Sequence, residues 1–223
     1  MGGIDGVRPG VLIRSDNLQG LTPADVRRLV DELGVRVVVD LRTSSEVELE
    51  GPGPLVGRVE IRHRSLWPEK GERTDVVISG DVEEEDPAVT WYLRYLQDRP
   101  DSIVGALTDV AHGPGPVIVH CAAGKDRTGV VVALALEAVG VPRDAVVADY
   151  MLTAERITPL MARLRASPTY AAELAPYSDE SRKPRAEVME RVLAVLDEHH
   201  GGAAGWLAHH GFDPEPLRRR LRA

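Results

Sequence analysis

The chain has 223 residues, of which 43% are hydrophobic and 28% are charged, as is typical of a folded globular protein. No internal repeat or long linker divides it, so we expect a single domain over residues 1–223. The net charge of -8 argues against general nucleic-acid binding, which needs a basic face to neutralise phosphates.

The sequence carries no sign of secretion or of membrane insertion. Its single cysteine, Cys121, excludes an internal disulfide and gives no indication of an oxidising compartment. The N-terminus lacks the pattern of a secretory signal, and the apolar run from Val130 to Val141 is too short to span a membrane. We therefore expect a cytoplasmic protein without an integral membrane segment. Secretion without a cleaved signal and the oligomeric state remain open.

The first half of the chain alternates predicted strands and helices. A helix is predicted to begin with Thr22 as its N-cap and Pro23 as its first residue, and to end at Gly34. Residues 35–41 form an apolar, β-branched run that is typical of a strand buried on both faces. The other predictions for this half are strands at residues 11–13 and 59–61, and an exposed acidic loop at residues 71–86.

The second half is predicted to be largely helical, with one further strand at residues 116–120. Helices are expected at residues 89–96, 103–110, about 127–139, 143–155, 156–166 and 185–199, and as a pair within 203–221. Strands separated by helices predict an α/β fold, in which helices flank a central, mostly parallel sheet. The helical C-terminal half is expected to pack on one side of that sheet.

The stretch VIVHCAAGKDRTGVV, residues 117–131, places the only cysteine between a predicted strand and a predicted helix. Backbone amides in such a turn bind anions, and the same positive field favours the thiolate of Cys121. Arg127 can hold two phosphoryl oxygens, Gly124 suits the turn, and Thr128 can donate its hydroxyl to the sulfur. The pattern predicts phosphoryl transfer through a cysteinyl-phosphate, with a purely structural cysteine as the alternative.

HCAAGKDRTG, residues 120–129, resembles the H-C-x5-R-[ST]-G signature of the cysteine-dependent protein tyrosine phosphatase superfamily. The Gly-Lys-Asp-Arg-Thr-Gly variant resembles a bacterial branch, the protein tyrosine phosphatase B group, which is related to lipid and dual-specificity phosphatases. Other stretches are similar to that branch as well: Arg14-Ser15-Asp16, residues 21–48 and Asp149-Tyr150. The resemblance implies a three-layer phosphatase fold and hydrolysis of phosphotyrosine, with phosphoserine and phosphothreonine as further substrates.

The resemblance also implies roles for the residues of the signature. Cys121 is the expected nucleophile, Arg127 the expected phosphate clamp, and His120 a support for the loop. The phosphate is expected to lie among the backbone amides of Ala122, Ala123, Gly124, Lys125, Asp126 and Arg127. No metal and no other cofactor is implied, and the remaining histidines show no convincing metal-ligand spacing.

The leaving oxygen needs a proton, so a carboxylic acid is expected near the thiolate. Asp126 is the first candidate, because the resemblance implies an aspartate of the loop as the acid. Glu69 follows Trp67-Pro68, the position where tyrosine phosphatases commonly carry an aspartate. Asp40 ends a predicted strand at the sheet edge where α/β proteins bind ligands. All three candidates stay open on the sequence alone.

Three functions agree with these patterns: a phosphatase for phosphorylated proteins, a phosphoinositide phosphatase, and a phosphate-binding module without turnover. Lys125 adds positive charge that would favour a phosphoinositide. Sulfur transfer of the rhodanese type is disfavoured by the His-Cys start and the Arg-Thr-Gly ending. Residues 165–185 correspond to a lid in the resembling group, and a surface excursion without a gating role is the alternative.

Overall fold

The computed structural model describes residues 3–51, 53–69 and 84–223. Its centre is a four-stranded sheet with the order β1-β4-β2-β3, in which every neighbouring pair is parallel. The strands are β1 (Leu12–Ser15), β2 (Val37–Asp40), β3 (Glu60–His63) and β4 (Val117–His120). The predicted α/β fold with a central parallel sheet is confirmed.

Helices cover the sheet and continue beyond it. Those of the described residues are α1 (Pro23–Arg27), α2 (Ser44–Glu50), α3 (Pro87–Asp98), α4 (Pro100–His112), α5 (Asp126–Ala138), α6 (Arg143–Met151), α7 (Ile157–Ala166), α8 (Ala171–Leu174), α9 (Ala186–His200), α10 (Ala203–His209) and α11 (Glu215–Leu221). α5 is central, because it packs against β4, α3, α4, α6 and α10. No helix among the described residues is both long enough and apolar enough to cross a lipid bilayer.

Alternating side chains along the strands divide the core into two parts. Val39 and Val119 face the larger cluster, which α3, α4, α5, α9 and the C-terminal helices fill. Val38 and Ile118 face a smaller cluster that includes Val26 from α1. Successive residues of a strand point to opposite faces of the sheet, so a strand with consecutive apolar residues buries side chains on both faces. The result is three layers. α5, α6, α9, α10 and α11 of the helical second half share the larger cluster on one side of the sheet, whereas α7 and α8 form a separate cluster with Ala122.

Two predicted helices differ from the observed ones. The helix expected up to Gly34 is α1 followed by a π-helical turn, Arg28–Glu32, although Thr22 caps it as predicted. The helix expected over residues 143–155 is α6 followed by a 3₁₀ turn, Leu152–Arg156. Near this junction the carbonyl oxygen of Asp149 accepts hydrogen bonds from the Leu152 amide and from the side chain of Arg14.

α2 was not predicted, and residues 70–83 of the predicted acidic loop lie outside the described residues. At the described end of that loop, Asp86 caps α3 by accepting a hydrogen bond from the Ala88 amide. Glu84 forms an ion pair with Arg191 of α9. The described end of the loop is therefore joined to two helices.

The carboxyl ends of three strands lie side by side. β4 lies between β1 and β2, with Ser15 and Asp40 each opposite His120. The chain segments that follow these strands therefore meet at one edge of the sheet. Open parallel sheets bind their ligands at such an edge, and the segment that begins with Cys121 occupies its centre.

Candidate active site

The segment between β4 and the first turn of α5, residues 120–127, is called the cysteine loop below. Cys121 is buried, with 2% of its surface exposed, and its Sγ accepts a hydrogen bond of 3.2 Å from the Gly124 amide. Gly124 has a φ of +63°, and a Cβ there would lie 2.5 Å from the Ser15 carbonyl oxygen. Glycine therefore allows the loop to curl around the sulfur while it contacts the end of β1.

Arg14 of β1 fastens the cysteine loop to the helices beyond it. Its Nη2 donates to the Gly124 carbonyl oxygen over 3.0 Å and to the Thr153 hydroxyl over 2.8 Å. Its Nη1 donates to the carboxylate and to the carbonyl oxygen of Asp149, each over 2.8 Å. Because the peptide unit is planar and trans, a carbonyl held outward turns the next amide inward. Arg14 thus helps to aim loop amides at the anion site.

The carbonyl group of Ala122 is held in the same way. It accepts hydrogen bonds from the Asn17 amide over 3.1 Å and from Nη2 of Arg163 over 3.2 Å. Arg163 lies on α7 and also forms an ion pair of 3.0 Å with Asp16. α7 therefore contributes to the position of the cysteine loop as well as covering it.

The guanidinium of Arg127 forms a bidentate ion pair with Glu46 of α2. Nη1 lies 2.6 Å from Oε2 and Nη2 lies 2.9 Å from Oε1. Burial would raise the pKa of Glu46, but Arg127 and the Thr43 donors lower it below its ordinary value, so Glu46 stays ionised. This pair occupies one end of the guanidinium, and no described residue bonds Nε. The Nε edge can therefore bind an anion while Glu46 fixes the side chain.

Asp126 is the first residue of α5 and one of the residues that line the cavity above the loop. The Tyr92 hydroxyl donates to its Oδ1 over 2.6 Å, and the hydroxyl of Tyr150 lies 2.9 Å from that of Tyr92. Nζ of Lys125 lies 3.3 Å from the same Oδ1 and donates to the Arg182 carbonyl oxygen over 2.8 Å. Of the three candidate acids, Asp126 is the one that lines the cavity together with Cys121.

Asp40 lies beneath the cysteine loop and is not among the described residues that line the cavity. Its carboxylate oxygens accept hydrogen bonds of 2.9 and 2.6 Å from Arg42, and one lies 3.5 Å from Nε2 of His120. Burial would raise the pKa of Asp40, but His120 and Arg42 lower it far below its ordinary value. A carboxylate held ionised in this way is a poor proton donor, so the geometry does not favour Asp40 as the acid. His120 contacts this ion pair through Nε2, and its Nδ1 lies 3.2 Å from the carbonyl oxygen of Cys121.

Two other residues that were given roles in the sequence analysis are Glu69, a candidate acid, and Thr128, a predicted hydrogen-bond donor to the sulfur. Oε1 of Glu69 accepts a hydrogen bond of 2.9 Å from the Ser44 amide at the start of α2, and Glu69 does not appear among the described residues lining the cavity. The hydroxyl of Thr128 is buried and has no hydrogen-bond partner among the described residues. The predicted bond from Thr128 to Sγ is therefore not formed in this structure.

A cavity of about 590 Å³ opens above the cysteine loop. All five tyrosines and two of the three tryptophans of the chain line it, and Trp67 packs edge-on against Trp91 and Tyr95. Among the residues that the structure describes, five basic and three acidic side chains also line it, although the whole chain has a net charge of -8. This lining suits a ligand with an aromatic ring and a phosphate group. Within the described residues, no group of His, Cys, Asp or Glu is arranged to hold a metal ion.

Glu46 and Tyr92 are among the residues of the site that were not predicted from the sequence. Thr43 and Glu46 form a capping box, a spacing that would have indicated a helix directly after β2. Tyr92 belongs to the helix predicted at residues 89–96, where it looked like one more apolar core residue. In neither case did the sequence indicate a contact with the cysteine loop.

Comparison with known proteins agrees with this geometry. A family model described as the tyrosine phosphatase family matches residues 2–223. The triple specificity protein phosphatase PtpB of Mycobacterium tuberculosis is 31% identical, over 96% of this chain and 90% of its own length. A tyrosine-protein phosphatase of Nostoc commune is 28% identical, over 93% of this chain and 71% of its own length. These matches confirm the resemblance carried by HCAAGKDRTG, and the chain belongs to the tyrosine phosphatase family, whose members are phosphoric monoester hydrolases.

Proposed function

We propose that this phosphatase hydrolyses phosphotyrosine in proteins through a covalent intermediate on Cys121. One observation carries the proposal: Cys121, with an amide bonded to its sulfur, shares a cavity with Arg127 and a wall of aromatic rings. A phosphotyrosine side chain presents its phosphate beyond an aromatic ring. The floor of the cavity suits the phosphate and the walls suit the ring.

In the first step, Sγ of Cys121 attacks phosphorus while the bond from phosphorus to the tyrosyl oxygen breaks. The loop amides and the Nε edge of Arg127 stabilise the phosphoryl oxygens, and Glu46 keeps the guanidinium in place. Asp126 gives its proton to the leaving oxygen, which departs as neutral tyrosine.

In the second step, a water molecule attacks the phosphorus of the cysteinyl-phosphate. Asp126, now a carboxylate, takes a proton from that water, and Sγ leaves as the thiolate. Inorganic phosphate is released and Asp126 is again protonated. The cycle returns every group to its starting state.

Phosphoinositides are a second proposed substrate class, and the charge of the cavity supports them. Among its described lining residues the basic side chains outnumber the acidic ones, and a lipid headgroup with several phosphates would gain from that excess. Lys125 and Arg182 both lie in this lining. Phosphoserine and phosphothreonine, which lack the ring, would make less use of the aromatic walls.

We also propose that residues 165–185 form a lid within a single domain. Tyr170 and Leu174 are buried against α7, in a cluster that includes Ala122 of the cysteine loop. The bond from Lys125 to the Arg182 carbonyl oxygen joins the other end of this segment to the loop. A cytoplasmic location remains a hypothesis that rests on the single cysteine, and cell fractionation would test it.

Turnover of p-nitrophenyl phosphate in the presence of EDTA tests the chemistry. We expect activity in the wild type, none in Cys121→Ser, and a phosphate adduct on the only cysteine-containing peptide after rapid acid quenching. Tight phosphate binding without turnover would instead support a phosphate-binding module. Activity that survives in Cys121→Ser would exclude the proposed nucleophile.

Substrate preference requires a second measurement. Rates on a phosphotyrosine peptide, the matching phosphoserine peptide and a phosphoinositide in mixed micelles should be compared at equal enzyme concentration. We expect the phosphotyrosine peptide to give the highest kcat/KM. A higher value for the phosphoinositide would make the lipid the principal substrate class.

A further inference from the structure

The two carboxylate oxygens of Asp126 have different surroundings. Oδ1 accepts a hydrogen bond of 2.6 Å from the Tyr92 hydroxyl and lies 3.3 Å from Nζ of Lys125. Oδ2 has no hydrogen-bond partner among the described residues. A general acid needs one oxygen to carry the transferred proton and a contact that orients the carboxyl group. The different surroundings of Oδ1 and Oδ2 indicate how Asp126 meets both needs.

We propose that Tyr92 is a positioning residue, which occupies Oδ1 of Asp126 together with Lys125 and so leaves Oδ2 to carry the transferred proton. This inference rests on the proposed role of Asp126. Oδ1 can accept a hydrogen bond whether the carboxyl group is protonated at Oδ2 or ionised. The contact with Tyr92 therefore persists through both chemical steps and keeps the carboxyl group in one orientation.

The direction of the hydrogen bonds follows from the number of protons available. A tyrosine hydroxyl has one proton, and Tyr92 gives it to Asp126. The contact of 2.9 Å between the hydroxyls of Tyr92 and Tyr150 must then be donated by Tyr150. Tyr150 thus supports Tyr92, because a hydroxyl that accepts a hydrogen bond becomes a stronger donor.

Packing holds both tyrosines rigidly. Tyr92 is 3% exposed and Tyr150 is 2% exposed. Gly129 of α5 allows the close approach of Tyr150, since a Cβ at Gly129 would lie 2.9 Å from Cδ2 of that ring. Burial and the nearby Asp126 raise the pKa of both tyrosines above the ordinary value, so their hydroxyls remain protonated donors.

The proton movements are confined to Oδ2. When the Sγ–P bond forms and the bond to the tyrosyl oxygen breaks, the proton on Oδ2 passes to that leaving oxygen. When water attacks phosphorus and Sγ departs, one water proton returns to Oδ2. Tyr92 and Tyr150 keep their own protons in both steps, so neither is an acid or a base in the reaction.

A series of aryl phosphates with increasingly poor leaving groups tests the role of Tyr92. For Tyr92→Phe we expect kcat/KM to fall about tenfold with phenyl phosphate, because a misplaced general acid cannot protonate a poor leaving group. With p-nitrophenyl phosphate, whose leaving group needs little protonation, the change should stay below about twofold. Tyr150→Phe acts through Tyr92 and should show the same pattern with a loss of about threefold.

Two further variants act as controls. Thr90→Val removes a hydroxyl from the same helix, one that contacts Glu84 outside the cavity, and should leave the whole series unchanged. In an Asp126→Asn background, Tyr92→Phe should cause no further loss, since Tyr92 acts through Asp126.

The outcomes separate this inference from the proposed function. Equal losses for all leaving groups in Tyr92→Phe would show a merely structural role and overturn the inference. An Asp126→Asn variant without leaving-group dependence would remove Asp126 as the acid, and with it the inference, while the role of Cys121 would still stand. If Cys121→Ser keeps its activity, the proposed function itself fails.

Discussion

The cysteine loop and the segment that covers it, residues 165–185, are held by different kinds of contact. Carbonyl oxygens of the loop accept hydrogen bonds from Arg14 and Asn17, and Cys121 is almost wholly buried. Within the cover segment there are surface ion pairs, such as Lys183 with Glu180, whose side chains are 41% and 79% exposed. Exposed pairs of this kind contribute only about 0.2–1 kcal/mol each.

This difference in contacts suits two different roles for the cysteine loop and the cover segment. The loop has to present its amides, its sulfur and its guanidinium in a fixed arrangement, since catalysis of phosphoryl transfer is mainly positioning and charge stabilisation. The proposed lid would have to let a substrate enter, and weak, exposed contacts suit that role. Changes to the loop should therefore affect the chemistry strongly, and changes to the cover should affect access mildly.

The largest effect is expected from Gly124→Ala, which would break the floor of the site. A Cβ there would meet the end of β1 at a backbone conformation that alanine rarely adopts, so the loop must move. We expect kcat/KM for p-nitrophenyl phosphate to fall about 10²–10³-fold, as when an oxyanion-hole donor is lost. Gly140→Ala is the matched control, because Gly140 also has a positive φ but has open space around it. Similar activity in the two variants would show that the loop tolerates displacement.

Asp40→Asn tests the support beneath the loop. Breaking a buried ion pair leaves an uncompensated charge on Arg42, so the free energy of unfolding should fall by about 3–5 kcal/mol near neutral pH. The pKa of Asp40 is lowered in the fold, so its contribution is present above the ordinary aspartate pKa of about 4 and is lost as the pH falls below it.

Urea unfolding near neutral pH and at about pH 3 measures this dependence, and the gap between wild type and Asp40→Asn should narrow at the lower pH. Glu215→Gln provides the control, since its pair with Arg218 is exposed and should be worth less than about 1 kcal/mol. A loss in Asp40→Asn no larger than the loss in this control would contradict the assignment of a buried supporting pair.

Glu46→Gln tests whether the cysteine loop needs the ion pair that holds Arg127. A neutral amide cannot form the bidentate ion pair, so the Arg127 guanidinium should lose its fixed position. We expect kcat/KM to fall about 10–100-fold, and the inhibition constant of inorganic phosphate to rise as well. Glu48→Gln, on the exposed part of the same helix, should leave both values unchanged. Equal effects in the two variants would rule out a specific role for Glu46.

The sequence predicted those parts of the site that lie close together along the chain. The strand, Cys121, Gly124 and Arg127 follow one another directly, so a local pattern contains the whole loop. Glu46 and Tyr92 reach the loop from 81 and 34 residues away, and their contacts depend on how α2 and α3 pack. No local pattern encodes such packing, which is why the capping box at α2 and the apolar spacing of α3 indicated helices and not partners.

Asp40 is a second example of a tertiary contact that the sequence did not predict. Its position at the carboxyl end of β2 was predicted correctly, and that position alone made it a candidate acid. What decides its chemistry is the pair of hydrogen bonds from Arg42 and the nearby ring of His120, because they hold the carboxylate in its ionised form. The sequence position of Asp40 shows that it lies at the edge of the sheet. Its protonation state depends on which side chains contact the carboxylate, and the sequence does not show these.

The smallest effect is expected from Arg165→Ala in the cover segment. Arg165 pairs with Asp179 over 2.6 Å and donates to the Tyr177 carbonyl oxygen over 2.8 Å, and its side chain is 34% exposed. Its loss should lower the free energy of unfolding by less than about 1 kcal/mol and change kcat/KM for p-nitrophenyl phosphate less than about threefold. Cleavage by trypsin after Arg182 should become faster, because the proposed lid would open more often. If cleavage stays unchanged while kcat/KM falls as far as in Glu46→Gln, the cover is part of the rigid floor and the contrast between the two regions fails.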